Sequence, residues 1–116
     1  MTGQYQGLLD SITRIRGVRG AMMVAAADGL VVADTLLDDV NGKAVAALAS
    51  NLYKRLGNAT TTAGIGEPRF LHLQATNGAL LVLSAGAEML VVAVTEPTIN
   101  AGLVRLEMLR AAEVLL

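Results

Sequence analysis

Cysteine and tryptophan are absent from this chain, and its aromatic side chains are one phenylalanine and two tyrosines. Without cysteine there is no disulfide, no thiolate zinc site and no Cys-His catalytic pair. So few aromatics leave little for nucleotides or single strands to stack on. Histidine occurs once, as His72 in FLHLQ. A Ser-His-carboxylate arrangement would have to use this one residue, and on a strand flanked by leucines it reads as structural or interfacial.

Charge is also scarce, at 16% of residues against roughly 25% in ordinary globular chains. The nine basic residues are scattered and the net charge is −1, so no basic stripe offers itself to nucleic acid. Asp28, Asp34, Asp38 and Asp39 lie near loops, without zinc-ligand or calcium-loop spacing. No metal and no cofactor are expected. The most hydrophobic stretch, Ala79–Val94, is broken by Ser84, Gly86 and Glu88 and falls short of the ~20 residues of a membrane helix. The opening MTGQYQGLLD lacks the basic segment and apolar run of a signal peptide. These features predict a soluble cytoplasmic protein without direct membrane insertion.

Small and aliphatic residues are abundant: 53% of the 116 residues are hydrophobic. That length suits one domain, which leaves about a third of its unfolded-chain surface exposed. Nineteen charged residues are few to cover it. Either the sheet is tightly buried under an alanine-rich exterior, or a second chain covers part of the surface. The second reading is preferred.

Tyr5, Leu8, Leu9, Ile12 and Ile15 form one helical stripe, ended by Gly17. In GVRGAMMVAAADGLVVADT, Ala21–Ala26 and Leu30–Asp34 are apolar runs of strand length around Asp28-Gly29, a pair suited to a tight turn. Apolar residues at nearly every position predict that both strands are covered on both faces. After a loop, Asp38 or Asp39 can cap a long helix over Val40–Ala63. Its inner stripe is predicted as Val45, Leu48, Leu52, Leu56 and Ala59. The opposite side is predicted as Lys43, Ala47, Ser50, Lys54, Gly57 and Thr61, small residues plus two lysines, which either let a partner approach closely or form a plain solvated face with alanine chosen for helix propensity. GIGEP (64–68) stops the helix. Phe70–Ala75 alternates like a strand half in contact with solvent. Asn77-Gly78 turns the chain into strand Ala79–Ser84, and Met89–Thr95 is the next strand. Thr98 opens a closing helix carrying Leu103, Leu106 and Leu109.

The order is helix, two strands, long helix, three strands, helix. Hairpins demand a largely antiparallel sheet and doubly covered strands demand helices on both faces, so the fold class is α+β in three layers. The glycine pairs carry no phosphate chemistry. Gly64-Ile65-Gly66 lacks a third glycine and follows a helix, whereas a dinucleotide fingerprint follows a strand. Gly42-Lys43 continues into alanine, where a P-loop needs serine or threonine. No enzymatic activity is expected.

The whole pattern resembles the Roadblock/dynein light-chain family, and within it the bacterial MglB-type members. Gly17–Ala33 carries the most specific match, through Val18-Arg19-Gly20 and Asp28-Gly29-Leu30-Val31, and NGALLVL adds to it. The resemblance implies a single Roadblock/profilin-like domain over residues 1–116. Its five-stranded antiparallel sheet would lie between one long helix and two terminal helices (α-β-β-α-β-β-β-α). It implies a homodimer with the Phe70–Ala75 strands paired edge to edge and the long helices side by side, through Ala47, Ser50, Phe70, Leu71, His72, Leu73 and Gln74. It further implies binding of a Ras-like small GTPase, as activator or scaffold, by the exposed side of the paired helices at Lys43, Ala46, Ala47, Ser50, Lys54 and Thr61. MglB-type activators act without an arginine finger, and none of Arg14, Arg16, Arg19, Arg55 or Arg69 stands out as one. This chain ends directly after its last helix, which leaves room for docking without accelerated hydrolysis. The alternative is a structural module of a larger signalling complex, indifferent to nucleotide state.

Overall fold

The computed structural model describes residues 2–115. Helix α1 (Thr2–Thr13) precedes strands β1 (Val18–Ala25) and β2 (Val31–Leu36). Helix α2 (Gly42–Thr62) follows, then β3 (Phe70–Gln74), β4 (Ala79–Ala85), β5 (Met89–Thr95) and helix α3 (Ala101–Leu115). The strands form one sheet in the order β2-β1-β5-β4-β3, antiparallel at every pairing.

Side-chain alternation along the strands divides the interior into two layers. On one face Ala21, Met23, Leu81, Leu83, Val91 and Ala93 pack against Leu9 and Ile12 of α1 and Val104, Met108 and Ala111 of α3. On the other, Met22, Val24, Leu80, Val82, Leu90 and Val92 pack against Ala46 and Ala49 of α2. The central strands β1, β5 and β4 are buried almost throughout, as expected for strands covered on both faces. β2 is different. Its position at the sheet edge leaves Val32 and Asp34 exposed, so the expectation of double cover fails for this strand.

Local chemistry sets the turns. Gly29 takes φ +73°, its N–H donates to the Ala25 carbonyl, and the Asp28 carboxylate accepts from the N–H of Leu30. The cap of α2 is Asn41, whose side chain accepts from the N–H of Ala44. The expected caps are otherwise engaged or too far from the helix start: Asp39 forms an ion pair with Arg19 of β1. At the other end Gly64, at φ +82°, lets its own N–H reach the Thr61 carbonyl and that of Ile65 reach Thr60, the paired bonds of a Schellman stop. α3 begins at Ala101 rather than at Thr98, with the Asn100 side chain accepting from the N–H of Leu103.

Candidate partner-binding surface

The long helix meets the sheet along an unexpected line. Ala46 is 0% and Ser50 4% exposed, and the Ser50 hydroxyl donates to the Ala26 carbonyl at 2.7 Å. Leu48, assigned to the inner stripe, is 48% exposed. The physical reason is volume. The sheet supplies the large side chains on this face, Met22, Leu80 and Leu90, and the helix supplies small ones, so the two backbones approach closely. Ala46 and Ser50 are therefore core residues and leave the proposed partner surface. Gly57 faces Pro68.

The other two sides of α2 differ in character. One overhangs the β1–β2 turn: an added Cβ at Gly29 would lie 3.5 Å from Ala47 Cα, and Lys43 lines a hollow with Asp28–Val31. Farther along the same side, Lys54 and Thr61 border a cleft of about 540 Å³ between α2 and the β1–β2 and β4–β5 turns. Ala25–Ala27, Gly57 and Pro68 supply its apolar lining, and Asp28, Tyr53, Asn58, Glu67 and Glu88 its polar groups. Lys43, Ala47, Lys54 and Thr61 are all exposed, so the structure brings these four together on one side of the helix.

The side turned toward β3 carries Val45, Leu48, Leu52 and Leu56, all at least partly exposed. Below it lie Leu71, partly buried with Leu52 against the core between the sheet and α2, and Leu73, 42% exposed. Because β3 ends the sheet, this leucine-lined side adjoins a strand edge with no neighbour among the described residues. Phe70 and Leu71 are half-buried, while His72, Leu73 and Gln74 are exposed. Of the residues expected at a dimer contact, the β3 set lies together here. Ala47 and Ser50 do not, because they point toward the β1–β2 turn and into the core. Of the expected inner stripe, Val45 and Leu52 pack half-buried against this core, whereas Leu48 is exposed and Leu56 half-exposed. Their spacing was visible, but their size suggested burial against the sheet.

The opposite edge is guarded. The Gln6 side chain of α1 donates to the Asp34 carbonyl of β2 at 2.8 Å and to the Thr35 hydroxyl, which in turn donates to Asp10. Other exposed leucines lie on the outside of α3, at Leu103, Leu106 and Leu109. Among the described residues no group of three or more His, Cys, Asp or Glu side chains is placed to hold a metal ion. Among the described residues no helix is long and apolar enough to cross a membrane.

The likeness to known proteins is extensive. An uncharacterised protein of Methanocaldococcus jannaschii is 33% identical over 106 residues, 91% of each chain. A Roadblock/LC7 domain from Streptomyces avermitilis superposes with TM-score 0.83 at 24% identity, covering 93% of this chain and 91% of that one. The gliding protein MglB of Thermus thermophilus superposes with TM-score 0.85 at 23% identity, covering 97% and 86%. The first relative is archaeal and the two structures bacterial, so the likeness extends beyond the bacterial members. The family model for the Roadblock/LC7 domain matches residues 5–95, and with it the chain belongs to the Roadblock/LC7 domain family.

Proposed function

We propose that this protein is a homodimeric, non-enzymatic regulator of a Ras-like small GTPase in the cytoplasm, acting as activator or scaffold. The observation that carries the reading is the exposed leucine side of α2 beside the unpaired β3 edge, in a chain of this family. A second copy laid against that side covers Leu48, Leu52 and Leu73 and pairs the two edges, removing an exposed strand edge that invites uncontrolled association. The same covering accounts for a chain with 53% hydrophobic residues and only nineteen charged ones.

The GTPase surface is then the side of each α2 that stays free, at Lys43, Ala47, Lys54 and Thr61, together with the adjoining cleft. The two lysines suit an acidic switch segment. Binding stabilises one conformation of the GTPase's own catalytic residues, so the size of the effect equals the difference in affinity for the two switch states. Calorimetry against the organism's Ras-like GTPase, loaded with GDP or with a non-hydrolysable GTP analogue, tests this. Preference for the GTP form with two protomers per GTPase is expected, and Ala47→Arg abolishes it. Equal affinity for both forms contradicts regulation and identifies a scaffold. Undiminished binding by Ala47→Arg removes this surface.

A further inference from the structure

The face of the sheet opposite α2 is covered by α1 and α3. Where these two helices meet they leave a hollow of about 550 Å³, whose lining includes Arg14, Ile15, Arg16, Leu103, Glu107 and Arg110. Local structure brings these residues together. Arg14 and Ile15 continue the last turn of α1, their N–H groups donating to the Asp10 and Ile12 carbonyls. Leu103, Glu107 and Arg110 follow at steps of four and three along α3 and so share one side of that helix. The α1 wall is low, because the Ser11 hydroxyl turns back to the Gly7 carbonyl and a Cβ added at Gly7 would meet nothing within 4 Å.

The hollow is both cationic and apolar. Ile15 is half-buried against the core, Leu103 is 42% exposed, and Leu106 and Leu109 extend the apolar surface outward. Arg110 holds Glu107 at 3.1 Å, whereas Arg14 and Arg16 are exposed and form no ion pair among the described residues. Three guanidinium groups thus face one carboxylate, in a chain whose net charge is −1. A free inorganic anion would leave the leucines bare. A nucleic-acid strand finds no aromatic side chain in the lining to stack on. An anionic bilayer is flat, so it meets Leu106 and Leu109 without reaching the half-buried Ile15, and the net negative chain repels it. A peptide segment with carboxylates beside its apolar residues satisfies both characters at once.

We propose that the α1–α3 hollow docks an acidic amphipathic segment of a partner protein. The apolar residues of that segment cover Ile15 and Leu103, and its carboxylates pair with Arg14, Arg16 and Arg110. Arginine suits the task, because its planar fork binds a carboxylate through two N–H groups. The site is independent of the dimer and GTPase readings, since α2 and the leucines beside β3 lie on the other face of the sheet. A chain engaged along α2 therefore keeps this hollow free, and one molecule joins two partners across its sheet.

The full chain is titrated into a fluorescein-labelled helical peptide of about four turns, with leucines three and four residues apart and glutamates beside them. A twin peptide carries lysine in place of every glutamate. The acidic peptide is expected to bind at least about tenfold more tightly than its twin, and to lose affinity between ~50 mM and ~300 mM salt. Arg14→Glu combined with Arg16→Glu, both at exposed positions, weakens it by at least about tenfold, while an unchanged urea midpoint shows the fold intact. Leu103→Ser weakens it by about fivefold through lost apolar cover. Equal affinity for the two peptides, an unchanged double variant, or no binding at about 1 mM chain overturns the proposal. Vesicles of phosphatidylcholine and phosphatidylglycerol form the other arm: cosedimentation with them, without binding of the acidic peptide, assigns this face to a bilayer and overturns the proposal as well. None of these results depends on whether the chain dimerises or meets a GTPase, so a failure here leaves that function standing.

Discussion

Replacing Ser50 by alanine removes the hydroxyl that the Ala26 carbonyl uses at 2.7 Å, in a position 4% exposed. The expected loss is about 1–2 kcal/mol of unfolding free energy, read by urea denaturation, with GTPase affinity unchanged. A loss of affinity without a loss of stability would return Ser50 to the partner surface. Gly29 is constrained twice, by φ +73° and by the Ala46 carbonyl and Ser50 Cβ, each 3.3 Å from an added Cβ. Gly29→Ala should therefore cost about 1–3 kcal/mol, and a neutral result would show that the β1–β2 turn relaxes away from α2. Asp28-Gly29 announced this turn in the sequence. The Ser50 bond was hidden, because nothing in a run of small residues tells which of them faces a carbonyl 24 positions away.

At the scale of the element, α2 shows where sequence reading holds and where it slips. Its length, its stop at Gly64 and its neighbouring strands follow from periodicity and turn chemistry. Its rotation does not. Val45, Leu48, Leu52 and Leu56 form a regular stripe, and the usual inference buries the largest apolar side chains. Here the sheet contributes the bulk and the helix contributes Ala46, Ala49 and Ser50, turning the true inner line by roughly a quarter turn. Leu48 is thereby left exposed, and the proposed dimer covers it. Leu48→Glu or Leu73→Glu, each at an exposed position, should preserve the fold and weaken the dimer by at least about tenfold, since each buried leucine contributes roughly 1.5–3 kcal/mol when fully covered. Ala47→Arg should leave dimerisation intact while abolishing GTPase binding. Sedimentation of the three variants separates these outcomes, and a monomeric Ala47→Arg would place the helix contact on the wrong side.

The molecule as a whole has two sheet edges treated in opposite ways. Gln6 occupies the β2 edge at the Asp34 carbonyl, whereas the β3 edge has no neighbour among the described residues and is flanked by exposed leucines. The sheet, its antiparallel pairing and its three layers were legible because alternation and Asp-Gly and Asn-Gly turns are local signals. The guarding of the β2 edge was not, since it depends on one side chain of α1 that lies 28 residues away in the sequence. That asymmetry is the basis for placing a second copy at β3. Sedimentation equilibrium of the wild-type chain at pH 8 over a concentration series tests it most directly. The account predicts a species of 24.0 kDa, twice the 12.0 kDa chain mass, that Leu73→Glu converts to monomer. A 12.0 kDa wild-type species throughout, or a dimer untouched by Leu73→Glu, would contradict it.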